Sequence, residues 1–285
     1  MLSFGLNHNE REQHSPLQAP VLFTIENGIA CITLNRPEKM NALNPEMIVR
    51  LARCWDAIES DTSVRVAILT AHGERTFCAG ADLGRLTPLL MRARSAEDEW
   101  DEALLAEPKI LNRAMLRRLD FSTPVILAAR GTVVAGGMEL ALACDLRVVS
   151  DKTTLGLAEV KRGLIPAAGG IARASRQLGW AAAAEILLVG DQITSAEALR
   201  IGLVNRVVAE QDVMPTAMTL AEKMAQNSPL AMRKAKEAML GSSGRPLQEA
   251  FDVEDACIKL VLRSQDAREG SRAFMEKRKP SFTGT

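Results

Sequence analysis

Tyrosine is absent from this 285-residue chain, and histidine occurs only three times. His8 and His14 stand in a polar N-terminal stretch and His72 in a turn, so a Ser–His–Asp or Cys–His arrangement, or a histidine-rich metal site, has little material. The sequence also lacks G-x-S-x-G, G-x-x-x-x-G-K-[ST], and a G-x-G-x-x-G that follows a strand pattern. Any acid–base chemistry must therefore lean on carboxylates. Cysteines number five, an odd count, widely spaced and without a C-x-x-C pair, which argues against a disulfide framework or structural zinc and for a reducing compartment. Charge of one sign is not in excess: 35 Lys and Arg face 35 Asp and Glu, so no overall field draws in nucleic acid or an anionic membrane. No apolar run approaches the ~18 residues that span a bilayer. The opening "MLSFGLNHNEREQHSPLQAP" has neither the long apolar stretch of a signal peptide nor the acid-poor character of a transit sequence. The expectation is a cytoplasmic protein with no metal, no nucleic-acid partner and no membrane contact.

What is present suits an α/β architecture, since strand-like and helix-like patterns alternate. "VLFTIENGIACITLNRP" reads as two strands around Asn27-Gly28, residues that both tolerate positive φ in a tight hairpin. In "NPEMIVRLARCWDAIESD", Met47, Leu51, Trp55 and Ile58 recur at helical spacing behind Asn44 as N-cap and Pro45 at the first helical position. "VRVAILTA", "TPVILAARG" and "LRVVSD" read as strands, and "GGMELALACD" as a short apolar helix. Residues 85–120 are a charged, helical excursion holding Leu86, Leu89, Leu90, Met91 and Trp100, which either line a pocket or form a packed helix face. From about residue 168 onward helical patterns take over. We therefore divide the chain into a loose tail (1–19), an α/β core (20–227) and a helical C-terminal subdomain (228–285).

Two acids in apolar company invite a chemical reading. Glu139 in "GMELALACD" is ion-paired, protonated or kept for chemistry, because a buried unpaired charge is costly. Glu159 follows in "LGLAEVKRGLIPAAGG", where Lys161 or Arg162 could pair with it on a solvated face. Two glycine-rich turns accompany them. Gly80 in "TFCAGADL" lets backbone approach a ligand, and Gly136 and Gly137 open a helix whose free N–H groups face whatever binds there. Together these turns could supply two donors to an oxyanion, or each could simply be a turn.

The motifs "NRPEKMNAL", "FCAGADL", "GGMELALACDLRV", "LAEVKRGLIPAAGG" and "AFMEKRKPSF", in this order, resemble those of the enoyl-CoA hydratase/isomerase (crotonase) superfamily, most closely its enoyl-CoA hydratases. The resemblance runs from about residue 20 to the C-terminus. It implies a spiral of repeated ββα units with a helical C-terminal region that builds trimers, often paired into hexamers. It implies an enzyme of the fatty-acid β-oxidation type that adds water across the 2,3 double bond of a 2-enoyl-CoA. By the same resemblance, backbone amides of Ala81 and Gly136 form an oxyanion hole, Glu139 helps deprotonate water, and Glu159 delivers a proton to C2. Coenzyme A, as part of the substrate and with no separate cofactor, would contact Lys39, Met40, Ala42, Ala79, Gly80, Asp82 and Leu83. Phe274 and Lys277 would lie near the nucleotide, often that of a neighbouring subunit. The chain departs from the family's pattern after "AGAD", where Leu83-Gly84-Arg85 replaces a lysine two residues past the Asp, and Arg85 is the candidate substitute. Isomerases and carnitinyl-CoA-type dehydratases share the proton chemistry, and a non-catalytic binding protein could share the scaffold.

Overall fold

The computed structural model describes residues 19–118 and 120–285, so residues 1–18 of the expected tail, with His8 and His14, lie outside the described residues. The Asn27-Gly28 hairpin is present: β1 (Val21–Glu26) and β2 (Ile29–Leu34) pair antiparallel, with φ of 52° and 76° at the two turn residues. Helix α1 (Pro45–Ser60) begins where Asn44 accepts a hydrogen bond from the Met47 amide, and buries Met47, Leu51, Trp55 and Ile58 completely.

From there the chain repeats one move. It lays a strand in a large sheet, turns, lays a shorter strand in a second sheet, and returns through helix. β3 (Val66–Ala71) and β4 (Thr76–Cys78) are followed by the excursion helices α2 (Leu86–Leu90), α3 (Glu99–Ala106) and α4 (Ile110–Ala114). β5 (Val125–Ala129) and β6 (Thr132–Val134) lead to α5 (Gly136–Ala143), and β7 (Leu146–Ser150) and β8 (Thr154–Gly156) to α6 (Gly170–Gln177) and α7 (Trp180–Ala184). With β9 (Ile193–Thr194) and β10 (Arg206–Val208), the large sheet has the order β1-β2-β3-β5-β7-β10 and the small one β4-β6-β8-β9, parallel except at β1–β2 and β8–β9.

The large sheet is apolar on both faces, as parallel strands covered twice must be. Ala67, Leu69, Val125, Leu127 and Ala129 face the main core with α1, while Val66, Ile68, Ile126, Ala128 and Val148 meet Val213, Ala217 and Ala221 of a helix on the other side. That helix follows α8 (Ser195–Arg200) and is α9 (Val213–Ala225). The excursion is anchored by Trp100, which lies under the Arg50 and Arg53 guanidiniums of α1 at 4.6 and 5.3 Å from its centroid.

One expectation needs correction. The stretch from residue 168 is not wholly helical, because it contributes β9 (Ile193–Thr194) and β10 (Arg206–Val208) to the two sheets. Strands of two and three residues are too short to show a period of their own, so the flanking helical spacing hid them. The chain ends in α10 (Pro229–Ser242), α11 (Leu247–Leu262) and α12 (Gln265–Met275). Lys236 staples α10 to the α/β layers: its buried ammonium donates to the Thr123 carbonyl and to Asp145, both at 2.8 Å. Among the described residues no helix is long and apolar enough to cross a membrane.

Candidate active site

The site is assembled by loops at the strand ends. Residues 36–43 and 79–82 are stitched together by backbone: the Ala79 amide donates to Met40 O at 3.1 Å, Leu43 to Gly80 O at 2.8 Å, and Asp82 to Leu43 O at 2.9 Å. Holding the first loop in shape is Asn41, fully buried at φ 51°, next to Met40 at φ 53°. Its amide donates to the carbonyls of His72 and Thr76, both at 3.0 Å, and its oxygen accepts from the Arg36 amide at 2.8 Å. No sequence signal singled it out beyond the tolerance of asparagine for positive φ. Asn41→Ala is expected to cost about 3 kcal/mol, since it leaves buried backbone groups unpaired, and thermal unfolding against wild type checks this.

Asp82 organises the second loop. One carboxylate oxygen pairs with Arg36 at 2.6 Å and the other accepts from the amides of Gly84 and Arg85. Its charge is thus spent inside the protein. Ala81 lies between these contacts, and its amide donates to no other described residue.

The start of α5 meets this loop at Gly80. A Cβ added there would stand 2.6 Å from Ala135 Cβ and 3.0 Å from the Gly136 nitrogen, so the Gly80 turn and the helix N-terminus are in direct backbone contact. Gly137 is equally tight, since a Cβ would fall 2.3 Å from the Cys78 carbonyl oxygen. Ala135 sits at φ 50°, ψ −127°, a sparsely populated conformation costing roughly 1–3 kcal/mol, which the surrounding contacts hold in place. The Gly136 amide, like that of Ala81, has no acceptor among the described residues. Both candidate donors are therefore unspent and beside one another. The neighbouring Cys78 thiol is pushed by burial up to about 12 and stays protonated, so it is no nucleophile.

One turn along α5, Glu139 is only 4% exposed. A single oxygen, Oε1, accepts the amides of Ala168 at 2.6 Å and Gly170 at 2.9 Å. Burial pushes its carboxyl above the ordinary range, while those two amides and then the charges of Arg173 and Arg117 pull it back. Glu159, in a short 3-10 turn (Glu159–Arg162) after β8, has a buried Oε2 with no hydrogen-bond partner. Its carboxyl is also raised, chiefly by burial, with its own backbone amide opposing and the nearby Glu139 adding to the effect. The ion pair open to it in the sequence is not formed, because Lys161 bonds to Asp191 and Arg162 to the Ala158 carbonyl. Two acids 20 residues apart in sequence are thus electrostatic neighbours, and the carboxyls of both are raised from the ordinary glutamate range.

The sequence profile of the enoyl-CoA hydratase/isomerase family matches residues 24–285. The (E)-benzylidenesuccinyl-CoA hydratase of Thauera aromatica is 35% identical, covering 93% of this chain and 99% of its own. The short-chain-enoyl-CoA hydratase of Clostridium acetobutylicum is 34% identical over 91% of this chain and 95% of its own. The chain belongs to the enoyl-CoA hydratase/isomerase family. The crystal structure of an enoyl-CoA hydratase from Bacillus anthracis, 34% identical, superposes with a TM-score of 0.83 over 93% of this chain and 100% of that one. The two-sheet spiral with its helical end is therefore the crotonase fold.

Within this family frame the expected site residues divide. Ala81, Gly136, Glu139 and Glu159 sit around the Gly80 contact and α5, and Lys39, Met40, Ala42, Ala79 and Gly80 lie on the stitched loops with Leu83 just past the second, Met40 and Leu83 being exposed. Phe274 and Lys277, at the end of α12, are exposed and make no described hydrogen bond to those loops. Arg85 directs its guanidinium to carboxylates, Glu97 and Asp98 both at 2.5 Å and Asp101 at 3.4 Å. Trp100, one of the pocket candidates, is occupied with α1. Among the described residues no group of three or more His, Cys, Asp or Glu is arranged to hold a metal ion.

Proposed function

We propose that the protein hydrates 2-enoyl-CoA thioesters to 3-hydroxyacyl-CoA, with Glu139 and Glu159 as the acid–base pair. The observation that carries this is the asymmetry of the two carboxyls: Glu139 is held through Oε1 alone, and Glu159 keeps a buried Oε2 without a partner. A water between these free oxygens would lose its proton toward Glu139 as its oxygen bonds to C3, and Glu159 would protonate C2. Negative charge passing through the thioester oxygen would meet the amides of Ala81 and Gly136, fixed dipoles that need no reorganisation. The reading calls for no metal or organic cofactor, coenzyme A entering with the substrate. It also has the chain working as a trimer or hexamer in the cytoplasm, in chemistry of the β-oxidation type, with Phe274 and Lys277 near a nucleotide bound across a subunit boundary. The names of the hydratase relatives support the same reaction.

The test follows the ultraviolet absorbance of the conjugated enoyl thioester, with crotonyl-CoA and longer 2-enoyl-CoAs. Absorbance should fall. Binding of CoA thioesters without any such fall would sink the proposal. The pH profile carries a further expectation. Lowering the pH protonates Glu139 and removes the base, whereas raising it ionises Glu159 and removes the proton donor. Because both carboxyls are raised in the free protein, both limbs of the bell in kcat/KM should lie above the ~4.3 of an ordinary glutamate, as properties of the coupled pair.

A further inference from the structure

Glu139 depends on a turn that does not hold itself. Its two amide donors lie in residues 168–170, where Gly169 takes φ 104° and α6 begins. The Arg173 guanidinium packs against this turn, with its Nη1 only 2.8 Å from where a Gly169 Cβ would sit. Nη1 donates to the Ala168 carbonyl at 3.2 Å and to Met115 O at 3.5 Å, and Nη2 donates to Leu116 O. The side chain thus ties the turn that carries the amide donors to the end of α4, where Leu116 is itself held at φ 49°. Arg117 assists from the same segment, donating to Ala167 O at 3.4 Å.

The charge of Arg173 is as informative as its hydrogen bonds. It is a half-buried cation whose acceptors are all carbonyls, and it forms no salt bridge with a described residue. Glu139 is the carboxylate that acts on it. The charged groups that act on Glu139 are Arg173 from α6, Arg117 from the segment after α4, and Glu159 from its 3-10 turn. We propose that Arg173 is a positioning residue for the hydration: it presses the Ala168–Gly170 turn onto Glu139 Oε1 and supplies a cation to that carboxylate. It touches no reacting atom in this scheme and acts through Glu139. The inference rests on the hydratase reading for its kinetic consequence but not for its electrostatic one.

The experiment compares wild type with Arg173→Met and Arg173→Lys. Glu139 is titrated in the resting protein by NMR of carboxyl-labelled glutamate, assigned by its loss in Glu139→Gln, and kcat and KM are measured on crotonyl-CoA. In Arg173→Met, Glu139 should titrate at higher pH than in wild type. Its kcat should fall about 100-fold, the scale of a misplaced catalytic group, with KM little changed. Arg173→Lys keeps the cation but not the two-armed fork, so its titration should return toward wild type while kcat recovers only in part. A Glu139 titration in folded Arg173→Met that coincides with wild type overturns the proposal. Should Arg173→Met not fold, Arg173→Lys decides alone: a wild-type kcat overturns it, and a reduced kcat with an unmoved titration upholds it. Absence of turnover in wild type would fell the hydratase reading alone, because the titration needs no substrate.

Discussion

Replacing Glu139 or Glu159 with glutamine is expected to lower kcat on a 2-enoyl-CoA by about 10²–10⁴-fold while leaving the fold intact, the usual scale of a lost general acid or base. Glutamine keeps the shape and, at 139, an oxygen that still accepts from the Ala168 and Gly170 amides. What it cannot do is exchange a proton with water. The double variant should lose little more than the worse single one, because in the proposed scheme the residues act on one water as a unit. Stability should move the other way. Both carboxyls are raised in the folded protein, so the stability tied to their protonated forms is present in acid and lost as pH rises through their titration. A neutral side chain escapes that loss. Glu159→Gln, which removes a half-buried charge whose Oε2 has no partner, should therefore unfold at higher temperature than wild type near neutral pH, with the difference closing in acid. Parallel measurements of kcat and of thermal unfolding against pH check both halves.

The second large effect is expected from one methyl group. Gly80→Ala places a Cβ against Ala135 Cβ and the Gly136 nitrogen at a position with φ 94°, so backbone must shift at the junction of the two candidate donors. Parting the Ala81 and Gly136 amides should cost on the order of 3 kcal/mol of transition-state stabilisation, or about 10²–10³ in kcat. Gly202→Ala is the control. Its φ of 77° carries the same kind of strain, of about 1 kcal/mol, but a Cβ there meets open space, so turnover should survive. Kinetics of the two variants side by side separate loss of the cradle from generic loss of a left-handed glycine. Equal activity in both would refute the role given to the Gly80 junction.

The parts of this architecture that could be read from sequence are those whose cause is local. Asn27-Gly28 makes its hairpin with residues adjacent to it, and Asn44 caps α1 through an amide three residues on. Met47, Leu51, Trp55 and Ile58 announce a buried face by spacing alone. Glu139 and Glu159 were noticeable because acids are rare among small apolar residues. The partners of these groups were not legible, because they come from distant chain. Asn41 finds its acceptors at residues 72 and 76, Asp82 its partner at Arg36, and Glu139 its donors in the turn before α6. Arg85 shows the same limit from the other side: beside a candidate loop it looked available to an anion, but acids 12, 13 and 16 residues later take it up. The split of the strands between two sheets was hidden as well, since β4, β6 and β8 have three residues each and no room for an alternation.

The reach from Glu139 to its amides has a consequence for how the molecule comes into being. The donors follow the carboxyl by 29 and 31 residues, so during synthesis the acid leaves the ribosome well before the amides that donate to it. The half-made core can tolerate it only as a neutral group or turned toward water. The proposed acid–base pair therefore has all its hydrogen-bond donors only once residue 170 has been made, later in the chain than both acids and both loops.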